Sequence, residues 1–278
     1  MTGKFSRSWE LARASASVLR SDKELLLFPL FSGVATLVVM ATFLLPIMAL
    51  RLFSDGFGIG AAVAGFLFYF VQYSVIVFFN CALVGAAMTR LDGGDPTLAD
   101  GLRAARARLP QILGWAAIAA TVGVVLRSLK DRKNHALVRM LGSGLGVAWT
   151  VATFLVVPVL VSRDVGPIDA LKESTSLLRR TWGENIVGQA GIGVAFGVIH
   201  FLVVVAGVVM VMLALKASVA LAVAVGAAFL LAVLLLGIVQ SALSGIYSAA
   251  LYRYAVSREV PAAFRGSDLE HAFLPARA

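Results

Sequence analysis

The sequence has a single cysteine, few charges, and no Asp, Glu, Lys or Arg at the centre of any long apolar run. Each scarcity removes a class of protein. Cys81 alone cannot close an intrachain disulfide, and its apolar neighbours mark it as a small buried hydrophobe. Charged residues make up 14% of the chain, against about 25% in soluble domains, and apolar residues make up 60% before the 26 glycines are added. That balance excludes disorder and a soluble enzyme with one large core. A membrane protein is left. The absence of Asp, Glu, Lys and Arg from the middle of the apolar runs argues against a proton relay, an ion pump or a voltage sensor. Of three histidines only His200 lies in an apolar run, and with no Cys, Asp or Glu beside it, it makes no metal site. No Ser–His–Asp, HExxH or phosphate-loop pattern occurs, so neither enzyme activity nor a cofactor is expected.

What is present is apolar length. A bilayer core of about 30 Å needs roughly 20 residues of helix. Runs of that kind cover 25–50, 57–89, 110–126, 137–161, 185–215 and 217–254, the third being short. They are continuous and do not alternate with period two, which excludes a β-barrel. The expected fold is an all-α polytopic membrane protein of six transmembrane helices in one domain over residues 1–278. The first 24 residues contain no apolar stretch, so the first run is expected to stay as an anchor.

Lysine and arginine fix the expected orientation. With both termini inside, the inner segments hold 17 of the 24 basic residues. The loop 127–139 disagrees: its five basic residues fall on the outer side, beside the shortest run. The sequence leaves open whether the 110–126 helix fully spans, and an internal repeat favours six crossings. Asp100-Gly-Leu-Arg leading to Gly114 matches Asp169-Ala-Leu-Lys leading to Gly183. The even-numbered runs end alike, in Arg90-Leu-Asp…Pro96, Arg163-Asp…Pro167 and Arg258-Glu-Val-Pro261, and a proline suits the first turn of a following helix. The unit is an interfacial helix followed by a transmembrane hairpin. It occurs three times, over about 5–92, 96–164 and 167–259, with a cytoplasmic tail at 260–278.

Each leading segment has a helical stripe with basic margins. The first aligns Phe5, Trp9, Ala12, Ala16 and Leu19, with Arg7, Glu10 and Ala14 opposite. The second aligns Leu98, Leu102, Ala105 and Leu109 beside Arg103, Arg106 and Arg108; the third aligns Ile168, Leu171, Thr175, Leu178 and Trp182, edged by Lys172 and Arg179. Two placements satisfy such stripes: in the membrane surface, or against the ends of the bundle. The net charge of +9 then belongs to topology and to anionic lipid headgroups, not to nucleic acid. Arg7, Arg103, Arg106, Arg108, Lys172 and Arg179 are the candidate headgroup contacts. Protein partners and self-association are left open.

Polar residues inside the runs are amides and hydroxyls. Tyr69, Gln72, Tyr73 and Asn80 share one face, and Gln240, Ser244, Tyr247, Ser248 and Tyr252 share another. Gln72, Asn80, His200 and Gln240 are the candidates for a polar interior or pathway. The alternative, which the sequence favours, is that they hydrogen-bond neighbouring helices as interhelical contacts.

Phe5-Ser-Arg-Ser-Trp9-Glu, Asp22-Lys-Glu-Leu-Leu-Leu-Phe-Pro-Leu30, Ala148-Trp-Thr-Val-Ala-Thr-Phe-Leu-Val-Val-Pro-Val-Leu160 and Thr181-Trp-Gly-Glu-Asn185 resemble a family of bacterial multi-pass membrane proteins of unknown function. Its most distinctive element is Trp182, Gly183, Glu184 and Asn185 with Thr181. A more distant likeness is to membrane domains that accompany glycerophosphodiester phosphodiesterases, whose catalytic residues lie in a soluble domain absent from this sequence. The resemblance implies a bacterial inner membrane and no activity. A non-enzymatic scaffold, accessory or lipid-organising protein is the leading expectation, and a small transporter or channel for an uncharged or amphiphilic solute is the alternative.

Overall fold

A helix satisfies its own peptide groups, and a chain surrounded by hydrocarbon therefore folds into helices wherever its apolar runs allow. A computed structural model describes residues 4–49, 59–130, 136–182 and 190–264, and every regular element among them is helical. In order these are α1 (Lys4–Ser21), α2 (Leu27–Ala49), α3 (Ile59–Leu91), α4 (Leu98–Ala107), α5 (Leu109–Lys130), α6 (Ala136–Ala152), α7 (Val156–Ser162), α8 (Pro167–Trp182), α9 (Ala190–Ala217) and α10 (Val219–Ser257). Six segments are long and apolar enough to cross a membrane: Lys23–Pro46, Val63–Leu91, Leu109–Leu126, Gly144–Ser162, Gly197–Ala217 and Val219–Ser257. The third, which the sequence left open, lies in the 22 residues of α5. At about 1.5 Å per residue α5 is some 33 Å long, enough to cross.

The fourth segment is not one helix. It stops at Ala152 and resumes at Val156. Pro158 supplies the reason, because it has no N–H to offer the carbonyl four residues back, at Phe154, and its ring crowds that carbonyl.

The helices α1, α4 and α8 all lie at the end of the bundle where α2, α5 and α9 begin and α3, α7 and α10 finish. This is the basic end. Here α4 packs on α3, α8 on α7, α5 and α10, and α1 on both α9 and α10. The buried stripes overlap the expected ones at Ala105 and Leu178, with Leu98, Leu102 and Leu171 packed half-buried against the core, but their centres shift to small residues. In α4 the innermost residues are Gly101 and Ala105, and in α8 they are Ala170, Ser174 and Leu178, while Ile168 is 59% exposed. Small residues let these helices sit close to the bundle, so they decide which face turns inward. Ala14 of α1 is buried as well as Ala12 and Leu19, because α1 lies between two partners.

The core sits at the same end. Buried residues cluster in 77–87 of α3, 112–120 of α5, 155–160 and 242–252, whereas the far halves of α2, α9 and α10 expose leucine, valine and methionine on most sides. Ion pairs tie the helix ends together. Arg253 of α10 pairs with Asp92 after α3, Arg108 pairs with Asp164 after α7, and Arg163 reaches Glu173 of α8 at 2.7 Å. Arg90 joins Asp95 at 3.0 Å and the carbonyls of Gly94 and Ser21. Asp92 after α3 and Asp164 after α7 thus each receive an arginine from another part of the bundle. The N-terminus of α4 is capped twice: Thr97 and Asp100 form a reciprocal capping box, and Glu24 accepts the N–H of Leu98 at 3.0 Å. The hydrogen bonds from Thr97 hold the Asp100 carboxyl below the usual carboxylate range. Asp22 is pushed the other way, its carboxyl raised by burial despite the nearby Arg90.

Gly101 gives the first test. A Cβ there would lie 2.4 Å from Cζ of Phe28 and 2.8 Å from the carbonyl oxygen of Ala82, which is backbone and cannot turn away. Gly101→Ala should lift α4 off the bundle and lower stability by about 1–3 kcal/mol, the usual range for overpacking. A fall in thermal midpoint measured in detergent checks this; an unchanged midpoint would show that α4 does not need that close approach.

Candidate functional site

An amide or hydroxyl group inside an apolar helix must find a partner, so the polar faces of the spans are where a site would form. Gly237, Gln240, Ser241, Ser244 and Ser248 follow one another at helical spacing and make a single polar stripe on α10. Asn80 and Val84, one turn apart on α3, face it. Phe154 and Val157, at the break between α6 and α7, complete the walls of a cleft of about 390 Å³. Gly245 sets the separation of the two long helices, since a Cβ there would meet Leu83 of α3 at 2.4 Å. The lining contains amides, hydroxyls and apolar groups, and no acid, base or histidine.

The broken helix is stitched from outside. Ser174 of α8 is fully buried; its hydroxyl donates to the carbonyl of Ala152 at 2.7 Å and accepts the N–H of Leu155 at 3.2 Å. The N–H of Val156 turns to the carbonyl of Thr153 at 3.1 Å, and the Thr153 hydroxyl donates to the carbonyl of Trp149 at 2.9 Å. Across the break the ring of Phe154 lies against Tyr247, centroids 6.1 Å apart.

Hydrogen bonding separates the lining groups. Ser248 donates to the carbonyl of Gly245 at 2.9 Å, within its own helix. The side chains of Asn80, Gln240, Ser241 and Ser244 make no hydrogen bond to any described residue. Towards the basic end the cleft is closed: Ala249, Ala250, Leu251, Ala87, Val159 and Leu160 are buried, with Tyr252 beside them. Arg163, exposed at the same end, has its charged form favoured by the neighbouring Tyr252 and Glu173. In the other direction Gly237 has open space beside it, Ser244 is exposed, and Leu234 and Leu235 are about half exposed.

The four residues singled out for a polar interior divide. Asn80 and Gln240 meet in the cleft. Gln72 sits two turns farther from the basic end on α3 and does not line it, and its Oε1 is buried without a partner among the described residues. His200 lies on α9, outside the lining. Of the basic residues, Arg103 pairs with Asp100 at 2.8 Å, Lys172 with Asp169 at 3.1 Å and Arg108 with Asp164, while Arg106 and Arg179 are exposed. The side chains of Arg7 and Trp182 lie outside the described part of the structure, as do Gly183, Glu184 and Asn185 altogether. Sequence reasoning missed Ser241, Gly237, Phe154 and Val157. A proline in mid-span was the available signal for the last two, and Ser241 was hidden because it adjoins Gln240.

One family model, described as a family of unknown function (DUF6159), matches residues 59–261. No curated protein and no solved structure matches the chain.

Ser174 carries the second prediction. Ser174→Ala leaves the carbonyl of Ala152 and the N–H of Leu155 without their bonds in a site closed to water. The expected loss is about 1–3 kcal/mol, typical of buried polar groups left unsatisfied. Ser174→Thr, which keeps the hydroxyl, should lose less if the extra methyl fits. Equal midpoints for Ser174→Ala and the unsubstituted protein would mean that the break is held by something else.

Proposed function

The chain belongs to this family of unknown function, and from that premise we propose that it is a non-enzymatic membrane protein that binds an uncharged solute in the cleft between α3, α7 and α10. One observation carries the proposal: four polar side chains with no partner among the described residues, Asn80, Gln240, Ser241 and Ser244, converge on a single cleft of the membrane-spanning bundle. Interhelical contacts alone would have paired these groups with one another or with backbone. The lining favours a neutral ligand, because it offers no counter-charge to an ion. It also disfavours catalysis, since no serine in it has an adjacent base to activate it. A discontinuous helix beside a polar cavity is an arrangement that small-molecule transporters use, and transport of the bound solute is the extension of this proposal.

The surroundings proposed for it are a bacterial inner membrane, with both termini and the basic end cytoplasmic. The inward bias of basic residues supports that placement. Arg106 and Arg179, exposed on α4 and α8, are the cations best placed for anionic headgroups, so a lipid-organising role at that surface is compatible with the cleft. The threefold repeat, the assignment of Thr181–Asn185 as a family mark and the likeness to phosphodiesterase-associated domains belong to the same proposal and rest on sequence. The order of one short helix before each pair of spans fits the repeat.

Thiol chemistry tests the cleft. In a Cys81→Ala background, single cysteines at Asn80, Gln240 and Ser244 should react with N-ethylmaleimide in delipidated detergent micelles, because a polar cavity admits the water that thiolate formation needs. A cysteine at Ala250, fully buried below the cleft, should stay protected. Protection at all four positions in folded protein would leave the polar groups as interhelical contacts.

A further inference from the structure

The cleft has polarity at one end, closure towards the nearer aqueous phase and an opening into hydrocarbon, and together these point to the class of its ligand. Resting on the cleft as a binding site, we infer that it takes the head of a neutral glycerolipid, a mono- or diacyl glyceride with a free hydroxyl, which enters sideways from the bilayer.

Depth comes first. Ser248, Ser244 and Gln240 lie five, nine and thirteen residues from Arg253, so at about 1.5 Å per residue the polar stripe runs from roughly 8 to 20 Å below the charged end of α10. A bilayer core is about 30 Å thick. The stripe therefore begins beneath the headgroup layer and ends near mid-membrane. From the nearer aqueous phase, at the basic end, the way is shut by the buried Leu251, Tyr252 and Val159. Ser244 is exposed on the flank of a helix whose outer neighbours, Leu234 and Leu235, are apolar and exposed. The Ser244 hydroxyl makes no bond to a described residue, and an amphiphile arriving from the hydrocarbon side can supply one.

Charge comes second. A phosphate or ammonium head in this cleft would meet no opposite charge, and an unpaired ion in such surroundings is far more costly than an unpaired hydroxyl. A free hydroxyl, by contrast, can donate to the carbonyl oxygens of Asn80 and Gln240, and hydroxyl and ester oxygens can accept from their N–H groups and from Ser241 and Ser244. Volume agrees. A cavity of about 390 Å³ is near the small end for ligand sites, about 300–1,000 Å³, so it holds a head and the first carbons of a chain. The rest of the acyl chain lies outside, along the exposed ridge of α10 beyond Gly237.

The test uses the full chain in detergent with added dioleoylglycerol, dioleoylphosphatidylglycerol or glycerol. Dioleoylglycerol should slow N-ethylmaleimide labelling of Ser244→Cys about fivefold or more, with the other two having little effect. By native mass spectrometry the Cys81-containing protein should retain dioleoylglycerol. Gln240→Leu and Asn80→Ala should each cut that retention about tenfold, as loss of a buried hydrogen bond predicts, and Gln72→Leu, outside the cleft, should not. If Gln240→Leu does not fold, Ser244→Ala reads the same contact with a smaller change. Equal protection by phosphatidylglycerol would overturn the uncharged head, and protection by glycerol alone would overturn the lipid. Labelling that no lipid slows would sink this inference while leaving the cleft as a site for another ligand. No labelling and no retention would end both.

Discussion

Hydrocarbon offers no partner to a peptide group, so a spanning helix interrupted in mid-course must find its missing bonds inside the protein. Here one hydroxyl supplies them. Ser174 bridges the last carbonyl of α6 and the N–H of Leu155, and it does so from α8, a helix of the basic end. That bridge has consequences on both sides. It draws α8 inward until Ala170, Ser174 and Leu178 are buried, and it lets the chain at Phe154 and Val157 leave the helical path to form a wall. A continuous helix through 153–155 would present different side chains to α10. The cleft depends on the break, and the break depends on a serine nearly twenty residues downstream.

The two halves of the bundle answer to different forces. At the basic end, small residues and ion pairs bring helices together: Gly101 against Phe28 and Ala82, Gly245 against Leu83, Arg253 with Asp92, Arg108 with Asp164. Surface pairs of this kind add little individually, and exposed partners such as Asp95 and Asp164 are well screened. Their value lies in position, since each ties the end of one span to another. In the far half no ion pair occurs among the described residues; Gly207 of α9 admits the ring of Phe229 of α10, and otherwise the apolar surfaces of α9 and α10 turn outward to lipid. Hydrophobic burial gives no drive to associate when the surroundings are equally apolar. The cleft forms where the packed half gives way to the open half.

Six spans were legible because apolar length over about 20 residues has few other readings, and all six helical segments fall where the runs predict. The short helices were legible from periodicity and from proline after each Arg–acid turn, with Pro167 standing at the first position of α8. The face each would bury was legible in part: Ala105 and Leu178 of the expected stripes are buried, with Leu98, Leu102 and Leu171 packed against the core. Large side chains dominate a periodicity pattern, and it did not single out Gly101, Ala170 and Ser174, which close approach in a membrane favours because they are small. Half of the polar candidates, Asn80 and Gln240, come together, and no spacing on α3 or α10 alone could have told them from Gln72, since pairing across helices depends on how the helices cross. The break at 153–155 was foreshadowed only by Pro158. What holds it open is a serine that reads, in the sequence, as one more residue of an amphipathic face.

The absence of charge from the cleft bears on mechanism as much as on ligand. A buried charge without a partner is costly, and an ion in this cleft would meet no counter-charge from its lining residues. Neutral polar groups are different in degree. Each unsatisfied amide or hydroxyl away from water costs on the order of 1–3 kcal/mol, and Asn80, Gln240, Ser241 and Ser244 together represent several such costs in one place. Single changes to leucine, valine or alanine would remove them, and the rest of the spans show how readily this sequence uses those residues. Stability alone therefore does not account for the stripe on α10. A bound hydroxyl or ester would offset the cost and leave the empty cleft as the less stable state. Binding energy would then be available to shift the helices around it, and the break between Ala152 and Val156, where the α-helical bonds give way to shorter-range ones, lies in the cleft wall.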